Sequence, residues 1–487
     1  MNSPVQETVE REIKLRVKRN FALPPLPGVP LSPRLFTSLY YDTEDFRLAK
    51  AGITLRYRLE ARKGAWQLKI PRDPARLEVE FSGSRTSPPD SLTKLLFAFL
   101  RGQSLKPIAR LRTRRTRFQV SGDESPVAEV VMDSVAALKE GRVIRRLYEL
   151  EVELKGGTEK DLAHLQTVLQ AAGAQEEDRR PKVFQVLELE LPAPVAMPSP
   201  TAPPIAHLKT MLGIQVRQLL GHDPGTRLGT DEEDLHQMRV ATRRLRAYLR
   251  AARPLLLSDW SEPLRAELAW LGSLLGPVRD LEVLLGHLTE EDANLPLPEH
   301  HALGRILQVL KRERAEARAS LIQGLESDRY LTLLDRVAEA TQSPVATETP
   351  VTLRDLARSE WMKLLRAMRK GGPNPSDEVL HQIRITCKRA RYAAELAEAS
   401  VGKAASRFIR QTKVFQNLLG ENQDALVAEQ RLRNLLGQKH GTLTTFTLGR
   451  LIERQCERRR TAQASIPKAW TKLKKQAKRL GPDKGPR

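Results

Sequence analysis

The chain has 487 residues, with 81 Lys+Arg against 59 Asp+Glu, a formal net charge of +22 and a pI near 10.1. This length suggests about two to four domains, and the positive charge favours polyanionic partners such as phosphate polymers, nucleic acid or an anionic membrane surface. Hydrophobic residues make up 40%, which excludes wholesale disorder. Aromatic residues make up only 5%, which argues against recognition of single-stranded nucleic acid by base stacking.

The cysteine count and the hydropathy of the sequence exclude further classes of protein. The two cysteines, Cys387 and Cys456, exclude a disulfide framework and a zinc site built from cysteines. No apolar run reaches the roughly 18 residues that would span a bilayer. Residues 1–19 also lack the apolar segment of a secretory signal. The sequence therefore predicts a soluble cytoplasmic protein without a membrane partner.

A proline-rich segment divides the chain into two halves. Six of the thirteen residues from Pro192 to Pro204 are proline, which favours a semi-rigid extended linker. Residues 1–190 hold 33 Lys+Arg and 26 Asp+Glu, a net charge of +7, which leaves +15 for the remainder. The predicted divisions are a first domain at 1–190, a linker at 191–204, a helical domain at 205–475 and a basic tail at 476–487.

Alternating runs in the first half predict β-strands. In residues 10–17, Ile13, Leu15 and Val17 alternate with charged residues. Similar runs occupy 52–59, 66–70, 76–81, 114–120, 128–132 and 148–154, and amphipathic stretches near 91–102 and 160–173 predict helices. Charges of both signs recur on one face of at least six strands. A solvated sheet face gives the same alternation, but a closed barrel would have a lumen lined with carboxylates and cations.

Such a lumen suits a metal-bound phosphate chain. Carboxylate oxygens are the ligands that hard divalent cations prefer, and arginine and lysine bind phosphate oxygens. The carboxylates available for this role are Glu10, Glu12, Glu149 and Glu151. The cations are Arg56, Arg58, Lys69, Arg76, Arg115 and Arg117.

Several motifs, in the same order, resemble the CYTH or triphosphate tunnel metalloenzyme superfamily over residues 5–190. They are Glu10-Arg-Glu12-Ile-Lys14, Tyr41-Asp42-Thr43, Leu55-Arg56-Tyr57-Arg58, Arg76-Leu-Glu78-Val-Glu80, Arg115-Thr-Arg117-Phe118 and Glu149-Leu-Glu151-Val-Glu153. Asp133 and Lys182 resemble a late acidic and a late basic position. Two positions depart from the pattern: Val131 stands where many members carry glutamate, and Pro181 stands where serine often precedes the late lysine.

The resemblance implies an eight-stranded antiparallel tunnel with flanking helices that binds triphosphate compounds with Mg²⁺ or Mn²⁺. Members include inorganic, thiamine and RNA triphosphatases and class IV adenylyl cyclases. By this resemblance the catalytic residues are Lys14, Glu10 and Glu12, and the general base is Lys14 or a metal-bound water. The phosphate-binding residues are Arg56, Arg58, Lys69, Arg76, Arg115, Arg117 and Lys182. The metal ligands are Glu10, Glu12, Glu78, Glu80, Asp133, Glu149 and Glu151.

The second half combines helical leucine periodicity with an internal repeat. The run from His236 to Arg246 recurs from His381 to Arg391, 145 residues later. A second element, Leu275 to Asp280, recurs 144 residues later and ends at Asp424. Two elements at nearly one offset predict a duplicated helical unit. Each copy places a histidine and three cations on one helix face: His236, Arg239, Arg243 and Arg246, then His381, Arg384, Lys388 and Arg391.

Like charges at these spacings repel, so an external polyanion is the natural counter-charge, although solvated arginine-rich faces are common. We assign Asp280 and Asp424 a structural role. The stripes resemble the CHAD, or conserved histidine α-helical, domain over residues 205–475. That resemblance implies two pseudo-symmetric four-helix bundles that bind inorganic polyphosphate.

Together these features predict an α+β protein that hydrolyses inorganic triphosphate or short polyphosphate in a tunnel and binds polyphosphate through its helices. Two alternatives remain open. One is a non-catalytic polyphosphate-binding protein associated with polyphosphate granules, and the other is a nucleotide-acting enzyme, either adenylyl cyclase or nucleoside triphosphatase. A nucleic-acid binder ranks last, because the stripes have few aromatic neighbours and no base-reading motif is present.

Overall fold

The computed structural model describes residues 5–8, 12–71, 76–122, 125–175, 180–292, 295–438 and 440–478. It divides the chain into two compact units, residues 1–194 and 195–487. The division lies inside the proline-rich segment, and residues 188–203 form no helix or strand. Glu10, a predicted metal ligand, and the last residues of the predicted tail lie outside the described residues.

One antiparallel sheet forms most of the N-terminal unit. Its strands are β1 (Val5–Thr8), β2 (Glu12–Arg16), β3 (Gly28–Asp42), β4 (Thr54–Glu60), β5 (Lys63–Pro71), β6 (Arg76–Phe81), β7 (Lys106–Ser121), β8 (Pro126–Lys139) and β9 (Arg142–Leu154). The strand order is β1-β6-β5-β4-β3-β7-β8-β9-β2, so every strand from β3 to β9 has two partners.

The first segment of chain joins the two edges of this sheet. β1 pairs with β6 and β2 pairs with β9, at opposite ends of the strand order. Only residues 9–11 separate β1 from β2, and four residues span at most about 14 Å. The sheet must therefore curl until its edges approach each other. With β1 and β2 counted as one strand, the predicted eight-stranded antiparallel sheet and the α+β class are confirmed.

Short helices cover parts of this sheet: α1 (Arg47–Lys50), α2 (Asp90–Leu95), α3 (Phe97–Leu100), α4 (Glu159–Ala171) and α5 (Lys182–Leu187). The apolar face of the alternating strands, including Leu15 and Val152, packs under Leu165 of α4. Phe184 of α5 packs against Tyr40 and other residues of β3, β7 and β8. The alternation thus buries an apolar layer on the outer face under α4. α5 instead packs on the inner face, against apolar residues that lie beside the charged ones.

The second unit is helical. Its helices are α6 (Pro204–Leu228), α7 (Glu232–Ala251), α8 (Ser258–Asp292), α9 (Leu297–Leu325), α10 (Asp328–Gln342), α11 (Leu353–Gly371), α12 (Asp377–Leu396), α13 (Glu398–Val401), α14 (Lys403–Leu436) and α15 (Thr442–Ala477), with a 3-10 turn at Arg253–Leu255. Within the described residues, no helix combines the length and the apolarity needed to cross a membrane.

The duplication seen in the sequence is present in the helices. α7 and α12 begin 145 residues apart, at Glu232 and Asp377, and α8 and α14 also begin 145 residues apart. One core is built from both copies, because Leu288 of α8 and Leu303 of α9 share it with Leu432 of α14. The two copies therefore share part of one hydrophobic core.

Candidate functional site

The inner face of the curled sheet encloses a cavity of about 740 Å³. Inward positions alternate with buried apolar ones along each strand, as Arg56 and Arg58 do with Leu55 and Tyr57 on β4. The predicted site residues that line this tunnel are Glu12, Lys14, Arg56, Arg58, Lys69, Arg76, Glu78, Arg115, Glu149, Glu151 and Lys182. Residues of α5 and of the segment that follows it, including Pro192, also line the cavity.

Three carboxylates surround one ammonium group on the side of the tunnel formed by β8 and β9. Lys182 Nζ lies 2.9 Å from Asp133 Oδ2, 2.9 Å from Glu149 Oε2 and 2.8 Å from Glu151 Oε1. We call Asp133, Glu149 and Glu151 the carboxylate cluster. Burial disfavours charge on Lys182, but the three carboxylates together raise its pKa well above the ordinary value. Lys182 is therefore a fixed cation at the centre of this cluster.

Two carboxylates of the cluster, Glu149 and Glu151, have pKa values shifted in opposite directions. Burial alone would raise the pKa of Glu151, but Lys182, Lys14 and Arg115 together lower it. Burial and the charge of Glu151 raise the pKa of Glu149 against the pull of Lys182. Glu151 thus holds its negative charge, whereas Glu149 takes up a proton more readily than Glu151 does.

Arg115 and Lys14 extend this network along the tunnel. Arg115 donates from Nε and Nη2 to Asp133, at 2.9 and 2.7 Å, and from Nη2 to Glu151, at 3.0 Å. Lys14 Nζ lies 2.7 Å from Glu12 and 3.9 Å from Glu151. Burial opposes the charge on Lys14, but Glu151 and Glu12 raise its pKa above the ordinary value.

The opposite wall, built by β3, β4 and β5, is mainly basic. Arg56 donates to Gln67 Oε1 at 2.9 Å and to Tyr40 Oη at 3.2 Å. Arg58 donates to Glu60 at 2.9 Å, and its guanidinium carbon lies 3.7 Å from the centroid of the Phe36 ring. The tunnel therefore has an acidic wall on β2, β8 and β9 and a basic wall facing it.

The remaining predicted residues of the N-terminal unit lie outside the carboxylate cluster and form pairs of their own. Lys69 pairs with Glu78, and Arg76 Nη1 lies 3.5 Å from Glu12. Glu80 is exposed and accepts a hydrogen bond from Gln67, so it lies beside the tunnel rather than within the cluster. Arg117 pairs with Glu129, with its Nε 2.5 Å from Oε1.

The carboxylate cluster suits a divalent cation in ligand type. Its three carboxylates converge on one positively charged nitrogen, and hard cations such as Mg²⁺ and Mn²⁺ take oxygen ligands of this kind. In the described ranges, however, no group of three or more His, Cys, Asp or Glu side chains is arranged to hold a metal ion. The Lys182 ammonium occupies the point on which the three carboxylates converge.

In the helical unit, the two basic stripes lie on α7 and α12, which pack against each other. Tyr248 and Tyr392 form an edge-to-face pair across the two helices, with ring centroids 6.0 Å apart. Arg243 Nε donates to Tyr392 Oη at 3.0 Å, and Tyr248 Oη donates to Glu395 at 2.9 Å. These contacts bring four predicted residues into one cationic centre: Arg239, Arg243, Arg384 and Lys388.

The charges of the cationic centre act on one another. Burial and the charges of Arg384 and Arg243 lower the pKa of Lys388 to about 7. Arg239 Nη2 lies 3.1 Å from Asp280, and Arg384 Nη2 lies 3.8 Å from Asp424. The repeated aspartates therefore hold equivalent arginines of the two copies.

The other residues of the two stripes differ in their surroundings. His381 Nδ1 lies 2.8 Å from Gln423 Oε1, whereas burial and Arg279 lower the pKa of His236. Burial and the charge of Arg265 lower the pKa of Arg246. Arg391 is only 7% exposed, and its Nε lies 3.2 Å from Glu395. Arg391 is therefore held beneath the surface on which the cationic centre lies.

Comparisons with known proteins agree with this architecture. A CYTH domain model matches residues 8–181, and a CHAD domain model matches residues 210–433. Uncharacterized proteins from two strains of Mycobacterium tuberculosis are 30% identical to this chain over 510 aligned residues, covering 96% of each protein. The chain belongs to the CYTH–CHAD family. The alignment spans nearly all of this chain and nearly all of each relative.

Solved structures resemble one part or the other of this CYTH–CHAD protein. PptA from Streptomyces chartreusis is 24% identical, with a TM-score of 0.45, and covers 55% of this chain and 100% of its own. The CHAD domain from the plant Ricinus communis is 24% identical, with a TM-score of 0.46, and the match covers 58% of this chain and 95% of that domain. HpAC1 from Hippeastrum, described as a putative adenylyl cyclase with a dominant triphosphatase activity, is 20% identical, with a TM-score of 0.26. The match covers 38% of this chain and 98% of HpAC1.

The CYTH unit also contains site residues that the sequence patterns did not identify. Tyr40 and Gln67 orient Arg56, and Phe36 lies against Arg58. Glu129 binds Arg117 and lies two positions from Val131, on the same face of β8 as Asp133. The alternation along β8 could have revealed Glu129. The positions of Tyr40 and Phe36 depend on β3, which the patterns did not predict as a strand.

Proposed function

We propose that the tunnel hydrolyses inorganic triphosphate, or a related short phosphate chain, with a divalent metal ion, and that the helical unit binds long-chain inorganic polyphosphate. The observation that carries the first part is the opposition of an acidic and a basic wall in one 740 Å³ cavity. Charges gathered in this way are costly unless they are compensated. A phosphate chain carrying metal ions would compensate both walls at once.

On this proposal the basic wall, together with Arg115 of β7, binds phosphate oxygens. Arg56, Arg58 and Arg115 present planar guanidinium groups that suit paired phosphate oxygens and the charge that develops on them. Lys14, with its raised pKa, stays protonated near neutral pH and acts as a cation rather than a proton acceptor. Lys182 is close enough to the lumen to exchange carboxylate partners for a phosphate.

The acidic wall would hold the metal ion. Glu12, Glu149 and Glu151, with Glu10, are the carboxylates that we assign to it. A bound Mg²⁺ or Mn²⁺ would supply Lewis-acid polarisation of a phosphoryl oxygen.

The aromatic residues of the tunnel favour an inorganic chain over a nucleotide. A purine base would need an open aromatic or apolar face on which to stack. Phe36 already has the Arg58 guanidinium 3.7 Å from its ring centroid, and Tyr40 is held by Arg56 through its hydroxyl. These contacts direct the cavity toward phosphate rather than toward a base.

Phosphate release from inorganic triphosphate with Mg²⁺ or Mn²⁺ tests this proposal, with ATP and pyrophosphate as parallel substrates. We expect release from triphosphate to fall by about 10²- to 10³-fold in Glu12→Gln and in Arg56→Gln, the loss typical of removing one electrostatic contact to a transition state. Glu188→Gln, at an exposed carboxylate that pairs with Arg145, is the matched control and should keep full activity. Faster release from ATP than from triphosphate would favour the nucleotide-acting alternative.

A polyphosphate-binding scaffold without turnover is the second candidate. Lys182 pairs with all three members of the carboxylate cluster, and Val131 places an apolar side chain between Arg117 and Glu151 in the strand register. Both features weaken the tunnel as a metal site. Tight polyphosphate binding without phosphate release from any of the three substrates would support this candidate.

Polyphosphate binding by the helical unit has its own test. We expect Arg243→Gln/Arg384→Gln to weaken the affinity of the full chain for long-chain polyphosphate, because both residues belong to the cationic centre. Arg312→Gln removes an exposed arginine of α9 and is the control for lost charge. Equal affinity in both variants would contradict the assignment.

A further inference from the structure

A second cavity, of about 360 Å³, lies on the outer face of the tunnel wall. Four cations line it, and all four are exposed: Lys18, Arg19, Arg114 and Arg146. Thr116, Ser134 and Tyr148 add hydroxyl groups to the same cavity. We refer to it as the outer basic cavity. It is distinct from the tunnel, because none of these residues lines the 740 Å³ cavity.

Strand alternation explains why both cavities are built by the same strands. On β7, Arg115 faces the tunnel, so its neighbour Arg114 faces outward. Ser134 and Tyr148 likewise face outward beside Asp133 and Glu149. Asp133 and Glu149 also border the outer basic cavity, but their carboxylates are engaged by Lys182 on the tunnel side.

The charge of the outer basic cavity is uncompensated within the described part of the chain. There, none of Lys18, Arg19, Arg114 and Arg146 forms an ion pair with a carboxylate. The cross-strand neighbours of Arg114 are Leu35 on β3 and Ser134 on β8, and neither offers a counter-charge. Four cations beside hydroxyl groups in one concave site can bind an anion from outside the chain.

We propose that the outer basic cavity is a second phosphate-binding site, which takes a short inorganic phosphate chain. Its volume is about half that of the tunnel, which suits a chain of a few phosphates rather than a polymer segment. The three hydroxyl groups add donors that a tetrahedral phosphate can use on several sides. This site does not depend on hydrolysis in the tunnel.

Protection of Lys18 from acetylation tests the proposal in the full chain. The protein is labelled briefly with an amine-acetylating reagent in the presence of a chelator, so that metal-dependent turnover is absent. Mass spectrometry then quantifies Lys18, with exposed Lys139 as the internal reference. At a triphosphate concentration tenfold above the Kd, we expect Lys18 labelling to fall about tenfold, with Lys139 unchanged.

Variants separate this cavity from the tunnel. Protection should be lost in Arg114→Gln/Arg146→Gln and kept in Arg56→Gln/Arg58→Gln, which alters only the tunnel. Arg142→Gln, an exposed arginine at the start of β9 that does not line the cavity, is the matched control and should keep protection.

Three results would overturn the proposal. The first is unchanged Lys18 labelling at triphosphate concentrations up to several millimolar. The second is protection that disappears with the tunnel variant, because Lys18 would then report on the tunnel. The third is protection by a single-stranded oligonucleotide but not by triphosphate or pyrophosphate, which would assign the cavity to nucleic acid instead.

Discussion

Replacement of Lys182 by methionine tests whether one ammonium group holds the acidic wall together. Methionine keeps most of the side-chain length but removes the charge that lies within 2.9 Å of three carboxylates. The Lys182 side chain is only 12% exposed, so water cannot take over its role. Removing one partner of a buried ion pair typically costs about 3–5 kcal/mol of unfolding free energy, and we expect a loss of that size at pH 7.

The loss should depend on pH in a defined direction. In the wild type, Lys182 lowers the pKa of Glu151, so this carboxylate contributes stability at neutral pH that is lost only in acid. Without Lys182, the pKa values of Glu151 and Glu149 rise, and these groups take up protons as the pH falls. The deficit of Lys182→Met should therefore be largest at pH 7–8 and shrink toward pH 5.

A divalent cation should restore part of this stability. Without the ammonium, the carboxylate cluster is open to oxygen-seeking cations, and a ligand present at 100 times its Kd stabilises the native state by about 2.7 kcal/mol. Mn²⁺ should therefore raise the unfolding free energy of Lys182→Met more than that of the wild type. This readout does not require catalysis.

Denaturant unfolding followed by ¹⁹F NMR of fluorotryptophan-labelled protein measures these changes in stability within the N-terminal unit. Trp66 is the one tryptophan in the sequence of residues 1–194, and it is fully buried. Lys139→Met, at an exposed lysine, is the control and should change stability by less than about 0.5 kcal/mol. A Lys182→Met loss below about 1 kcal/mol at pH 7, without dependence on pH or Mn²⁺, would refute the reasoning.

The helical unit, the turn after β3 and the tunnel wall each support one further prediction. Lys388→Gln should abolish proton uptake on polyphosphate binding near pH 7.5, because the Lys388 pKa of about 7 must rise beside a polyanion. Calorimetry in buffers of different ionisation enthalpy measures this proton uptake, and unchanged uptake in the variant would contradict the prediction. Asp42→Asn should lower the unfolding free energy reported by Trp66 by about 1–3 kcal/mol, because the buried Asp42 carboxylate accepts hydrogen bonds from the backbone N–H groups of Thr43, Leu48 and Ala49. A change below about 0.5 kcal/mol would exclude that role. Val131→Glu should tighten Mn²⁺ binding in calorimetry, with Val131→Gln as the uncharged control, and equal affinities would show that this position does not reach the metal.

The charge pattern of the tunnel could be predicted because a strand has a strict period of two. Arg56 and Arg58 on β4, and Glu149 and Glu151 on β9, line the tunnel as their alternation implied. The same rule failed for β3, which runs from Gly28 to Asp42. Pro30 and Pro33 interrupt its first half, and the pairing with β7 shifts register between Leu31 and Arg34, so no simple alternation marks it.

The centres of both sites depend on contacts between distant segments and could not be read from local patterns. The resemblance placed Lys182 among the phosphate-binding residues, but its position inside three carboxylates requires α5 to lie against the inner face of the sheet. The repeat gave two basic stripes. Only the packing of Tyr248 against Tyr392 turns them into one centre, and the same packing leaves Arg391 buried.

The two units arrange their cations in physically different ways. In the tunnel, the cations face carboxylates that neutralise them, so a phosphate chain alone would leave the acidic wall unpaired and repelled. In the cationic centre, the described counter-charges are Asp280 and Asp424, each on one arginine, and burial already pushes Lys388 toward its neutral form. A polyanion can bind the cationic centre directly, whereas the tunnel needs a cation for its carboxylates. We therefore assign the requirement for a divalent metal ion to the tunnel and not to the helical unit.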